Sequence, residues 1–136
     1  MLNQQQATYD SANLLDLGAV AVTTSAAGSV AEINLGSASK FIQAQLVMDV
    51  SAIKATATDE TYVVTVEATD ASGFGGTVHT VATLTLTRGV TGRYTLLMNN
   101  IHECVLHQYV RMYYTNGGTS PSITCKAWLA PINPVN

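Results

Sequence analysis

The chain has 136 residues, a length for one domain with one core, and it carries 47% hydrophobic residues, only 11% charged residues and a net charge of −3. Its basic residues, Lys40, Lys54, Arg88, Arg93, Arg111 and Lys126, are scattered and form no phosphate-neutralising stripe, which argues against a nucleic-acid partner. No apolar run approaches the roughly 20 residues of a membrane-spanning helix, so a membrane partner is not expected either.

Residues 1–12, beginning MLNQQQATYD, read as an extended arm that lacks the basic and apolar regions of a signal peptide, pointing to synthesis in a cytosol. A β-sandwich domain is expected over 13–130. Short strands are expected at 19–24 and 29–35, separated by the turn signal AAGS at 26–29. From 41 to 50, Ile42, Ala44, Leu46, Met48 and Val50 share one face of a strand. In TYVVTVEAT, Tyr62, Val64, Val66 and Ala68 face inward. In TVHTVATLTLT, the alternation sets Val78, Ala82, Leu84 and Leu86 against an outer set that includes His79. Tyr94, Leu96 and Met98 continue the pattern, and the abundance of Thr and Val suits a pleated surface.

The run from His102 to Tyr114 also alternates. It reads as one long strand with Cys104, Leu106, Val110, Met112 and Tyr114 inward and Val105, His107, Tyr109, Arg111 and Tyr113 outward. A last strand covers 123–130, with Cys125, Ala127 and Leu129 inward and Thr124, Lys126 and Trp128 outward. PINPVN, residues 131–136, reads as an extended tail, because Pro131 and Pro134 do not suit a central strand. About eight short strands, polar turns and no amphipathic helix indicate an all-β, antiparallel sandwich or barrel.

IHECVLHQ, at 101–108, holds the densest set of chemically active side chains. A zinc-protease pattern needs two histidines four apart on a helix. His102 and His107 are five apart, which places them on opposite faces of a strand, and His102 with Cys104 supplies too few ligands. No metal or cofactor is therefore expected, and both cysteines read as buried free thiols. Asp59, Glu60 and Asp70 fall in turns, and no Gly-x-Ser-x-Gly elbow occurs, so no catalytic residue is assigned. If 104–115 and 123–130 form a hairpin, His107, Tyr109, Arg111, Tyr113 and Trp128 share one outer surface. Trp, Tyr and Arg are the residues enriched in interface hot spots, and Arg111 beside Trp128 would form a cation–π contact.

Four stretches in order span most of the chain: NLLDLGAVAVTTSAAGSVAEINLG, TYVVTVEATDASGF, GRYTLLMNN and YVRMYYTNGGTSPSITCKAWLAP. On these the sequence resembles the jelly-roll capsid cement, or decoration, proteins of tailed bacteriophages. The resemblance implies a jelly-roll sandwich that oligomerises, as a homodimer or homotrimer, on the outer surface of an assembled virion head. There it would bridge neighbouring major capsid subunits and stiffen the shell as a structural, non-enzymatic protein. Two other readings compete: a tail-tube or head–tail connector subunit, and a carbohydrate-binding module using Trp128, Tyr109 and Tyr113 as a stacking platform.

Overall fold

The computed structural model describes residues 13–36 and 41–132; the predicted arm at 1–12 and most of the predicted tail lie outside these residues. In chain order the strands are β1 (Leu14–Leu17), β2 (Ala26–Ala27), β3 (Ile33–Asn34), β4 (Gln43–Ile53), β5 (Thr61–Thr69) and β6 (His79–Leu86). They continue as β7 (Gly92–Asn99), β8 (Ile101–His102), β9 (Val105–Leu106), β10 (Tyr109–Gly117) and β11 (Ile123–Pro131). One sheet has the order β1-β11-β4-β7, and the facing sheet has β2-β10-β5-β6, with β3 also paired to β10. All these pairings are antiparallel, so the expected all-β sandwich is what the chain forms. β8 and β9 make a separate two-stranded hairpin.

The core lies between the sheets and is built as the alternation predicts. Ala44, Leu46, Met48 and Val50 of β4 face Tyr62, Val64, Val66 and Ala68 of β5, with Val110, Met112 and Tyr114 of β10 beside them. Burying a Val- or Met-sized side chain contributes roughly 1.5–3 kcal/mol, which is why period-two apolar runs this long commit to one face.

Bulges adjust the alternation at three places. Between β4 and β11, Thr124 pairs with Ala52 and Cys125 with Val50, so Ser51 is extra and both Val50 and Ile53 are buried. Between β1 and β11, Leu14 pairs with Trp128 and Asp16 with Ala127, and the intervening Leu15 belongs to the core. Between β5 and β6, Val66 pairs with Ala82 but Glu67 with Thr80, so Val81 is extra.

The structure corrects four expectations. Residues 19–24 form no strand beyond a single bridge from Val22 to Ile123, and β1 and β2 lie on either side of it. The run from 102 to 114 is broken by a tight turn at Glu103–Cys104, where both residues have positive φ (49° and 66°). Such a turn reverses the chain into the β8–β9 hairpin and leaves Cys104 exposed instead of in the core. β10 and β11 do not pair with each other: β10 joins β5 and β11 joins β4, so the two strands lie in opposite sheets. Pro131 ends β11 opposite Ala44, past Trp128, where among the described residues no β1 partner asks for its missing N–H.

Candidate functional site

The outward face of β10 carries Tyr109, Arg111 and Tyr113, all half-buried. Arg111 sits directly opposite Glu67 of β5, and its Nε donates to Glu67 Oε2 at 2.7 Å. Its guanidinium also lies 4.3 Å from the Phe74 ring centroid and 5.4 Å from that of Tyr113. Phe74 reaches this position from the 70–76 loop, which is tethered by Glu32: its carboxylate accepts the Ser72 hydroxyl at 2.7 Å and the Gly73 N–H at 2.8 Å. Those bonds hold the Glu32 carboxyl below its ordinary pKa, the Ser72 hydroxyl contributing most. The face is thus an aromatic platform with one internally paired cation.

Trp128 does not join it. It lies on the outer side of the other sheet and is buried at 2% exposure, in a small cluster with Leu14, Val47 and Ala130 against which Val30 packs. A cation does stack on it, but it is Arg93 and not Arg111, at 5.4 Å. Arg93 is held by a two-pronged pair with Asp49, at 2.7 and 2.8 Å. The hydrogen bond from Arg93 lowers the Asp49 pKa. A stacking platform made of Trp128, Tyr109 and Tyr113 together is therefore ruled out by topology.

His107 is also displaced from the predicted surface. It follows the hairpin, is buried at 4% exposure, and is fixed by its backbone and its ring. Its N–H donates to the Asn100 carbonyl at 2.8 Å, and the Asn100 side-chain amide donates to the His107 carbonyl at 2.9 Å. Asn100 Oδ1 in turn accepts the Ile42 N–H at 2.8 Å, so the base of the hairpin is anchored to the chain entering β4. The His107 Nδ1–H donates to Asp70 Oδ2 at 3.2 Å.

Around that ring the structure brings together residues that the sequence reading kept apart. His79 stacks on His107 with centroids 4.7 Å apart and on His102 at 4.4 Å, with interplanar angles of 26° and 25°. One ring nitrogen from each of the three lies within 4.8 Å of the other two. The Val81 bulge is the cause. Beyond it, β6 reverses its facing, so that His79 sits opposite inward-facing Ala68 and not on the outer face. Val81, an apolar residue off the phase of Ala82, Leu84 and Leu86, was the one signal of this shift in the sequence. A cavity of about 340 Å³ adjoins the cluster, lined by Thr69, Asp70, Ala71, Thr77, His79 and His107.

No protein-family model matches the chain, and no curated protein matches it.

Proposed function

We propose that this protein is a structural virion component that decorates and cements the outer surface of a tailed-phage capsid. The observation that carries the reading is where the four resembling stretches fall. In chain order they contain β1 to β3, β5, β7, and β10 with β11, strands drawn from both sheets of the sandwich. The strand order supports the jelly-roll part of it. Among the eight principal positions the chain crosses between sheets at every step except the β5–β6 hairpin, which is the connectivity expected when two Greek keys are folded together.

The contact surface in this reading is the outward face of β10. Tyr109, Arg111 and Tyr113 supply aromatic area on a rigid strand, with Phe74 beside them. His107 and Trp128 are removed from the contact set by their burial. The partners are the major capsid protein and further copies of the chain. Binding the assembled lattice better than free subunits stabilises the shell by mass action, and an oligomer engaging several subunits gains avidity.

The test is to add purified protein to expanded heads that lack it. Saturable attachment and a raised head-disruption temperature are expected, and Tyr109→Ala should weaken attachment without lowering the melting temperature of the free protein. Failure to attach to such heads would overturn the reading. Imaging that found the protein in a single ring at the head–tail junction, and not over the shell, would replace it with the connector alternative.

A further inference from the structure

We propose that His79, His102 and His107 form a binding site for one divalent transition-metal ion of the zinc class, and that the bound ion staples the β8–β9 hairpin to the sandwich. This site is independent of the capsid-facing surface and uses none of its residues.

The donor set is right for such an ion. Neutral imidazole is a favoured ligand of zinc, copper, nickel and cobalt, and three imidazoles with an open fourth position form an established type of zinc site. The three nitrogens come from three separate segments: the start of β6, the β8–β9 hairpin, and the link from that hairpin to β10. One ion would therefore tie together parts of the chain joined otherwise by few contacts.

His107 is already arranged as a ligand. Its Nδ1–H is committed to the Asp70 carboxylate, which leaves Nε2 with its lone pair. That Nε2 is buried, on a side chain 5% exposed, and has no hydrogen-bond partner. A buried acceptor left unpaired is costly, and a metal bond at this atom would remove that cost. A carboxylate behind the ring is the usual support of a metal-binding histidine, fixing its tautomer and orientation and raising its basicity. Among the described residues the group consists of these three histidines; Asp70 stands behind it, and Cys104 does not belong to it.

The rings must move for the nitrogens to converge. They are stacked in this structure, so their in-plane lone pairs lie in nearly parallel planes and do not yet converge on one point. In a tetrahedral zinc site with bonds of about 2.0–2.1 Å the nitrogens would approach to about 3.3 Å, closer than the 4.8 Å within which they now lie. His79 and His102 are only half-buried and can rotate, while His107 is held by Asp70 and Asn100 and acts as the fixed point. The neighbouring cavity leaves room for a water or small anion at the fourth position.

The strained turn fits this role. Glu103 and Cys104 occupy left-handed φ values that are unfavourable for non-glycine residues, in a turn that Asn-Gly would make more readily. A hairpin only two residue pairs long is marginal by itself. A metal bond to His102 would hold it closed.

The experiment uses the whole chain with Cys104→Ser, which removes the exposed thiol as a competing ligand, after treatment with EDTA. Zn²⁺ titration by calorimetry should show one ion per chain. Co²⁺ should give the intense visible bands of a four-coordinate site without thiolate charge-transfer absorption. Amide exchange across 101–106 should slow when Zn²⁺ is bound. His79→Ala and His102→Ala should each abolish saturable binding. Asp70→Asn, which leaves all three ligands in place, should weaken it by about 10–100-fold. His102 lies on the hairpin outside the core, so His102→Ala should melt like its parent without metal, separating loss of a ligand from loss of fold. Absence of saturable binding by the Cys104→Ser protein would overturn the site, as would undiminished binding in both histidine variants. Unchanged exchange at 101–106 would overturn the staple.

Discussion

Tyr114 joins the two sheets through its hydroxyl. From β10 it donates to Asp16 Oδ2 of β1 at 2.9 Å and lies 2.8 Å from the Cys125 sulfur of β11. Asp16 is itself buried and accepts the N–H of Gly18 at 2.9 Å and the Ser29 hydroxyl at 3.2 Å. Burial pushes the Tyr114 phenol far above its ordinary pKa and the Cys125 thiol up to about 12. Two results should follow. Tyr114→Phe leaves a buried carboxylate oxygen short of a donor and should cost about 1–3 kcal/mol in denaturant unfolding; an unchanged midpoint would contradict the network. A thiol reagent at neutral pH should modify Cys104 quickly in the native protein and Cys125 only on unfolding. Rapid modification of both would contradict the burial of Cys125. Read along the sequence, both cysteines belong in the core, because Cys104 continues the alternation of Leu106, Val110 and Met112. What that reading lacks is the reversal of the chain at Glu103–Cys104, which no Gly, Asn or Pro announces.

The strands are held in register by their turns as much as by their faces. The β10–β11 connection shows how. Gly118 has φ +87°, and a Cβ there would collide with the Asp59 carbonyl oxygen. The Asp59 carboxylate then accepts the Thr119 N–H at 3.0 Å and its hydroxyl at 2.9 Å, bonds that hold its pKa below the ordinary carboxylate value. Gly118→Ala should therefore cost about 1–3 kcal/mol in thermal or chemical unfolding, through both backbone strain and the collision. A neutral substitution would show that the turn has room to shift. Asp59 contributes only where it is ionised, so its help is present above its ordinary pKa of 3.8 and is lost as pH falls through the lowered folded value. Here the sequence was informative: TNGGTSPS read as a turn, and a Gly at a positive-φ position is the physical reason.

Taken whole, the molecule is dominated by pairings between distant parts of the chain. β11, the last of the described strands, lies between β1 and β4, and β10 lies between β2 and β5. Loop-closure entropy must be met before such contacts form, so folding should take milliseconds to seconds and not microseconds. Stopped-flow refolding checks this directly; a sub-millisecond main phase would show that local structure carries more of the stability than the topology allows. The same topology explains why the predicted outer surface separated. With β10 and β11 in opposite sheets, Trp128 and the Tyr109–Arg111–Tyr113 row face away from each other. Each keeps a stacked cation, but a different arginine supplies it in each place.

By itself the sequence determined the fold class and the inner faces of β4, β5 and β10, because alternation of apolar residues is a local property and burial rewards it directly. Only the tertiary structure decided which strands are neighbours, and therefore which side chains meet. His79 and His107 are 28 positions apart, and a single extra residue at Val81 turns the first toward the second. Pairing and bulges depend on the energy of the whole sandwich, so the histidine cluster could not be read along the chain that encodes it.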